Sequence, residues 1–247
     1  MKVVCIIQAR MGSSRLPGKV LKKICGKTIL EHEVNRLKLV YNIDEIVIAT
    51  TVEERDKVIV EEANRLKVKY FRGSENDVLS RYYLAAKENN ADVVIRVTSD
   101  CPCMDSRIIE DIVDTFKKYR DSEKIDYMSN TLARTFPRGY DVEIFNFDCL
   151  ENAFLKSEKD YEREHVTPYL YDFNNKFKIK EYKNSYDYSN YRVTLDTIED
   201  LKVIESIFER LYCENSNFHM QEVVEFLKQN PEVVNINAKI EQKKIME

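Results

Sequence analysis

The stretch Gln8-Ala-Arg-Met-Gly-Ser-Ser-Arg-Leu-Pro-Gly-Lys19 begins where the apolar run Val3 to Ile7 ends. Three of the chain's five glycines, Gly12, Gly18 and Gly26, fall in this loop and its exit. Glycine lets backbone N–H groups approach a ligand closely, and Arg10, Arg15 and Lys19 can neutralise a polyphosphate, with the Ser13 and Ser14 hydroxyls as further donors. The loop is a candidate phosphate cradle; the competing reading is a solvated turn with scattered bases. It is not a Walker A loop, because five residues rather than four separate Gly12 from Gly18-Lys19 and Val20 stands where that motif needs a Mg²⁺-binding hydroxyl. It also lacks GxGxxG, so a dinucleotide-binding Rossmann fold loses its main support.

Outward from this loop, apolar runs at Val3 to Ile7, Glu45 to Ala49, Val68 to Phe71 and Asp92 to Val97 read as strands. They alternate with amphipathic segments at Ile29 to Val40, Glu53 to Leu66 and Val78 to Asn89. Continuous β-branched runs such as Val93-Val94-Ile95 suit parallel strands covered on both faces, which predicts an α/β three-layer sandwich. Thr28 with Glu31 and Thr197 with Asp200 resemble capping boxes, and Asp105 is placed to cap the segment Arg107 to Tyr119. Beyond Asp126 the pattern predicts strands at Tyr140 to Phe147, Phe177 to Lys183 and Arg192 to Leu195, with helical segments at Asp148 to Lys156 and around Tyr161 to Tyr171. The sheet should thus be mixed, with a lobe inserted around 130–190. Two final helices, Ile198 to Tyr212 and His219 to Lys228, are expected to pack on the sheet, and the polar tail Ala238 to Glu247 carries Ile240 and Ile245 as docking candidates.

The 247 residues fit one catalytic domain with a substantial core, and 39 basic against 43 acidic side chains give a net charge of −4. That balance offers no global attraction to nucleic acid or an anionic membrane, so any phosphate site is local. Six dispersed cysteines, whose single close pair, Cys101 and Cys103, has one intervening residue, read as reduced thiols rather than a zinc or redox motif. No segment approaches membrane-spanning length and no leader pattern precedes Gln8, so a cytoplasmic location is the expectation.

Four further constellations can carry chemistry. Val97-Thr-Ser-Asp-Cys-Pro-Cys-Met-Asp105 follows the most hydrophobic strand, and open α/β sheets bind ligands at the carboxyl ends of their strands. Asp100 there would face the basic loop, and a carboxylate beside a polyphosphate makes sense chiefly through Mg²⁺. Asp196, at the junction of Arg192-Val-Thr-Leu with a capped helix, is either a second ligand of that metal or a turn residue. In Pro137-Arg-Gly-Tyr-Asp-Val-Glu-Ile-Phe145, Asp141 and Glu143 share one strand face, where they can grip sugar hydroxyls or simply meet solvent. Glu162-Arg-Glu-His-Val-Thr-Pro168 presents His165 as a donor to a substrate carboxylate or as a structural histidine. Between these, Ser74 and Arg81 in Gly73 to Tyr82 can reach a nucleobase; the alternative for Arg81 is an exposed helix cation.

Taken in order, QARMGSSRLPGKVL at Gln8 to Leu21, GSENDVLSRYY at Gly73 to Tyr83, TSDCP at Thr98 to Pro102, RGYDVEIF at Arg138 to Phe145, REHVTPYLY at Arg163 to Tyr171 and VTLDTIEDL at Val193 to Leu201 resemble the SpsF-like cytidylyltransferases of spore coat polysaccharide biosynthesis. The chain is more distantly similar to the CMP-Kdo and CMP-sialic acid synthetases. The resemblance spans nearly the whole chain. It implies a nucleotide-diphospho-sugar transferase fold of GT-A type and transfer of CMP from CTP to a sugar hydroxyl, with pyrophosphate leaving. It maps phosphate contacts onto Arg10, Gly12, Ser13, Arg15 and Lys19, metal ligands onto Asp100 and Asp196, nucleobase contacts near Ala9, Ser74 and Arg81, and acceptor contacts near Tyr140, Glu143, Arg163 and His165. It also implies a homodimer acting on an acidic keto sugar for surface polysaccharide or glycoconjugate synthesis. The chain departs from the pattern at Ser99, where many relatives have glycine, at Cys103, where an aliphatic residue is common, and at Cys101, which replaces an acid of the Kdo enzymes. Competing classes are a sugar-1-phosphate nucleotidyltransferase using another NTP, a GT-A glycosyltransferase, disfavoured because no DxD follows the fourth strand, and a noncatalytic nucleotide-binding module.

Overall fold

The computed structural model describes residues 1–242. Strand β1 (Val3–Gln8) runs into the basic loop and then a small hairpin, β2 (Lys23–Ile24) and β3 (Lys27–Thr28). Its turn residues Cys25 (φ 48°) and Gly26 (φ 79°) both take positive φ, as a two-residue I′ turn requires. Next come α1 (Ile29–Leu37), β4 (Glu45–Thr51), α2 (Lys57–Arg65), β5 (Lys69–Gly73), α3 (Val78–Glu88), β6 (Val93–Thr98) and α4 (Ser106–Glu123). The second half adds β7 (Tyr127–Ser129), β8 (Glu143–Asn146), α5 (Phe147–Lys156), α6 (Asp160–His165), α7 (Pro168–Tyr171), β9 (Ile179–Glu181), α8 (Ile198–Leu211), α9 (Met220–Gln229) and α10 (Pro231–Asn237).

Seven strands form one sheet in the order β5-β4-β1-β6-β8-β7-β9. β5, β4, β1 and β6 are parallel, β8 runs antiparallel between β6 and β7, and β9 pairs parallel to β7. The mixed, mostly parallel α/β/α sandwich is therefore present. β1 lies at its centre, with Val3 to Ile7 each at most 1% exposed. Val3, Cys5 and Ile7 join the core under α1, α2 and α4, while Val4 and Ile6 face α3 and α5. Because both faces are covered, the strand reads as a continuous apolar run rather than an alternation. The parallel strands bring the loops after β1, β4, β5 and β6 to one edge.

Several expectations fail locally, for physical reasons. β8 starts at Glu143 instead of Tyr140, because the Asn130 side chain donates to the Tyr140 carbonyl (2.6 Å) and accepts from Val142 N–H (2.9 Å), taking backbone groups a longer ladder would use. Arg192 to Leu195 is not a strand; it makes a single parallel bridge to Arg138. Gly139 (φ 106°) permits that approach, since a Cβ there would lie 2.7 Å from the Val193 carbonyl carbon. The helix expected around Tyr161 to Tyr171 breaks at Val166 (φ 73°), ahead of Pro168, which opens α7. At α1, Thr28 accepts from Glu31 N–H (3.0 Å), but the Glu31 carboxylate turns to Arg65 and the box stays half formed; the Thr197–Asp200 box is complete. α8 and α9 do not pack on the sheet. With α10 they build a separate core against Leu16, Ile24, Ile29, Phe136 and Tyr140. Ile240 reaches the rim of a small cavity between Arg138 and α10, and Ile245 lies outside the described residues. All six cysteines are unpaired, and no helix among the described residues is long and apolar enough to cross a membrane.

Candidate active site

The basic loop holds its shape through one carbonyl and one remote acid. Met11 C=O accepts from Ser13 N–H (2.9 Å) and Gly18 N–H (3.0 Å), and Met11 N–H donates to Asp56 (2.7 Å). Asp56 is fully buried and also takes the Thr51 hydroxyl at the end of β4. Gly18, at φ 68°, opens a single 3₁₀ turn over Lys19–Leu21 that turns Lys19 inward. Ser13 Oγ accepts from Leu16 N–H (3.3 Å).

Lys19 Nζ then donates to Asp100 Oδ2 (2.7 Å), Asp196 Oδ1 (2.8 Å) and the Leu195 carbonyl (2.8 Å). The loop after β6 and the segment before α8 are stitched together by Leu195 N–H to Asp100 C=O (2.8 Å), which fixes the two acids side by side. Asp100 Oδ1 accepts from the Thr98 hydroxyl (2.6 Å), and Asp196 Oδ2 meets Arg15 and Arg192, each at 2.9 Å. Burial opposes the charge on Lys19, but Asp100 and Asp196 outweigh it and hold the ammonium pKa above its ordinary value. Burial alone would raise the Asp196 carboxyl; Lys19, Arg15 and Arg192 together pull it below the usual carboxylate range. Beneath them Glu33 of α1 is wholly buried, and desolvation, then the Asp100 charge, push its carboxyl well up.

These groups line a cavity of about 650 Å³ at the carboxyl edge of the parallel strands. The structure brings Ala9, Arg10, Ser13, Arg15, Lys19, Arg81, Asp100, Arg163, His165 and Asp196 to its walls, together with Gln8, Asn76 and Asp77. Arg81 is not an exposed helix cation: it is 2% exposed, and its Nε and Nη1 have no hydrogen-bond partner among the described residues. Desolvation lowers its pKa, and Tyr82, Asp56 and Glu75 only partly offset it. Arg163 is held by Asp77 (2.7 Å) and the Phe154 carbonyl (2.7 Å).

Four expected contacts lie off the cavity wall. Gly12 packs beneath the Arg55–Glu75 ion pair, where a Cβ would come within 3.0 Å of the Arg55 guanidinium. Ser74 is spent accepting from Asp77 N–H (3.1 Å) at the head of α3. Tyr140 is fully buried in the core under α8 and α9, because the strand that would have displayed it starts three residues later. Glu143 is enclosed between β6 and β7, paired with Arg96 and accepting from Tyr127 Oη (2.5 Å) and Thr167 Oγ1 (2.7 Å). Tyr140 and Glu143, expected as acceptor contacts, are thus packed inside the fold and off the cavity wall. Sequence reasoning missed Asp56 and Glu33, whose partners Met11 N–H and Asp100 lie far along the chain, and Arg192, although its partners Asp196 and Asp200 follow four and eight positions on.

A nucleotide-sized cavity lined by two carboxylates, arginines and a lysine suits a metal-assisted reaction at a polyphosphate. The comparisons agree. The chain belongs to the cytidylyltransferase family, whose model matches residues 4–244, and is a nucleotidyltransferase that carries out CTP-dependent cytidylyl transfer. Among solved structures, a cytidylyltransferase from Leptospira borgpetersenii superposes with a TM-score of 0.90 at 39% identity, covering 99% of this chain and 100% of that one. An uncharacterised protein of Methanocaldococcus jannaschii is 39% identical over 100% of this chain and 99% of its own length. The spore coat polysaccharide biosynthesis protein SpsF of Bacillus subtilis is 28% identical over 93% and 95% respectively.

Proposed function

We propose that this enzyme transfers CMP from CTP to a hydroxyl of an acidic sugar, releasing pyrophosphate, with Mg²⁺ as cofactor and a product used in surface polysaccharide or glycoconjugate synthesis. The observation that carries the reading is the meeting of Asp100 and Asp196 on one ammonium group beside the phosphate loop. Two hard oxygen donors that already tolerate a shared cation fit Mg²⁺, which is usually held by one or two carboxylates plus substrate phosphates. Asp100 and Asp196 would hold it, and the cation supplies charge neutralisation at the phosphates when bound. Lys19 and Arg15, released from the two acids, bind the β and γ phosphates, joined by Arg10 from the loop's outer side. Arg81 turns its unpartnered donors to acceptor atoms of the base. Arg163 and His165, which also line the cavity, receive the acidic acceptor.

In the reaction the acceptor oxygen forms a bond to the α phosphorus, the bond from that phosphorus to the β-phosphate oxygen breaks, and pyrophosphate leaves with the electron pair. The hydroxyl proton is released. Holding the reactants in line and neutralising charge supply most of the acceleration in such transfers. The homodimer implied by resemblance belongs to the same proposal.

The test is pyrophosphate release from CTP, UTP, ATP and GTP with Mg²⁺ against a panel of sugar acids, neutral sugars and sugar 1-phosphates. Release from CTP with a sugar acid supports the reading. Release dependent on a sugar 1-phosphate and another NTP replaces it with the sugar-1-phosphate nucleotidyltransferase, and CTP binding without release from any pair leaves a binding module.

A further inference from the structure

Asp200 carries more than a helix cap requires. In a capping box the acid at the third position of the helix need only accept from the N-cap N–H, here Thr197 N–H to Asp200 Oδ2 (3.0 Å). The same oxygen also accepts from Asp196 N–H (3.0 Å) and Arg192 Nη2 (3.1 Å), and Oδ1 accepts from Arg192 Nε (2.8 Å) and from Asn237 Nδ2 of α10 (2.9 Å). Asp200 has no solvent exposure. A buried ion pair is weak as a source of stability, because desolvation offsets its attraction. A cap alone does not call for one at the first turn of α8.

The arrangement makes sense around Asp196. Arg192 Nη2, anchored by Asp200, lies 2.9 Å from Asp196 Oδ2, and Asp200 also grips the Asp196 backbone N–H. Lys19 and Arg15 also hold Asp196, but under the proposed function both are drawn to the phosphates. Arg192 is then the cation that stays, because its fork is fixed on a second carboxylate. We infer that Asp200 is a positioning residue for Asp196, acting through Arg192 and the Asp196 amide to keep that carboxylate aimed into the cavity when nucleotide and divalent cation bind. This inference rests on the proposed metal role of Asp196. Outer partners of metal ligands typically change metal affinity by about 10–100-fold when removed.

The experiment measures free Mn²⁺ by electron paramagnetic resonance during titration of the full-length protein with CTP present and no acceptor, alongside thermal unfolding. Asp200→Asn keeps a cap acceptor but loses the charged anchor, and its Mn²⁺ affinity should fall by roughly tenfold or more. Thr197→Ala removes the cap hydroxyl while leaving Asp200, Arg192 and Asp196 in place; it should lower the unfolding temperature without weakening Mn²⁺. Arg192→Lys removes the fork, so the double variant with Asp200→Asn should bind Mn²⁺ no worse than Arg192→Lys alone. Equal losses of Mn²⁺ affinity in Thr197→Ala and Asp200→Asn, or additive losses in the double variant, overturn the inference and leave Asp200 a cap. Wild-type protein that binds no Mn²⁺ with CTP overturns the metal reading itself, and the inference with it.

Discussion

Asp100 and Asp196 stand at the cavity rim with side chains 19% and 12% exposed, balanced by Lys19 and Arg15, whose long side chains can move to a phosphate. Glu143 meets an arginine too, but with a side chain 7% exposed, inside β8, where Arg96, Tyr127 and Thr167 all come from packed elements. One arrangement has two exchangeable counter-ions beside the fixed Arg192, and the other only fixed ones. An acid whose partners can leave is available to a ligand; an acid whose partners are part of the sheet is not. The same contrast, with the sign reversed, sets Arg81 apart: a buried cation whose charge Asp56 and Glu75 only partly offset, with two donors that meet no hydrogen-bond acceptor among the described residues.

The largest effect is expected at the rim. Asp100→Asn should reduce pyrophosphate release by about 10²–10³-fold, the range seen when a group stabilising charge at a reaction centre is lost. The fold should survive, because Lys19 keeps Asp196 and the Leu195 carbonyl. Pyrophosphate release at the wild-type rate would end the metal assignment. Glu143→Gln should do the opposite: breaking a buried pair by removing one partner costs about 3–5 kcal/mol. Urea unfolding should show that loss, while turnover at low temperature and saturating acceptor stays near wild type. A raised acceptor KM with unchanged stability would put Glu143 back at the substrate.

Arg81→Met sharpens the contrast because its two readouts should move in opposite directions. Putting an apolar side chain of similar length in place of a buried cation that is only partly compensated should leave the nucleotide-free protein no less stable. Loss of a single hydrogen bond to the base, worth about 1.5–3 kcal/mol when a charged group donates, should raise the CTP KM roughly tenfold to a hundredfold with little change in kcat. A fall in stability with an unaltered KM would make Arg81 a structural residue.

What could be read in the sequence follows the same division. The loop from Gln8 to Lys19 and the acid at 100 announce themselves because glycines, bases and a carboxylate at strand ends have no packing reason to be there. Asp196 is found at the site, although the segment delivering it is an extended stretch bridged to Arg138 rather than a strand of the sheet. Polar and apolar alternation through Tyr140 to Phe145 misleads, because β8 is inserted between β6 and β7 with helices on both faces, so neither side of it meets solvent. β7 is three residues long, too short to show any period. Asp56 holds a backbone N–H set by the tertiary fold, Met11 N–H lying 45 positions away, and no local pattern encodes such a partner; the Asp200 cap is legible as a capping box, but its bond to Asn237, 37 positions on, is not.

Tyr140 offers the smallest expected effect and the cleanest discrimination. Its ring lies in the core built by α8 and α9 with no solvent exposure, and its hydroxyl has no hydrogen-bond partner among the described residues. An unsatisfied buried hydroxyl is a cost to the folded state, so Tyr140→Phe removes a penalty without opening a cavity. Stability should be unchanged or rise by about 1 kcal/mol. Turnover with the sugar acid should be unchanged, since the aromatic ring stays in the core and Asn130 still holds the residue's backbone carbonyl. If the hydroxyl instead reaches the acceptor, the same variant loses kcat/KM for the acceptor while its CTP KM stays put. A single conservative change, read by two kinetic constants and one unfolding curve, therefore decides whether the β8 side is wall or binding surface.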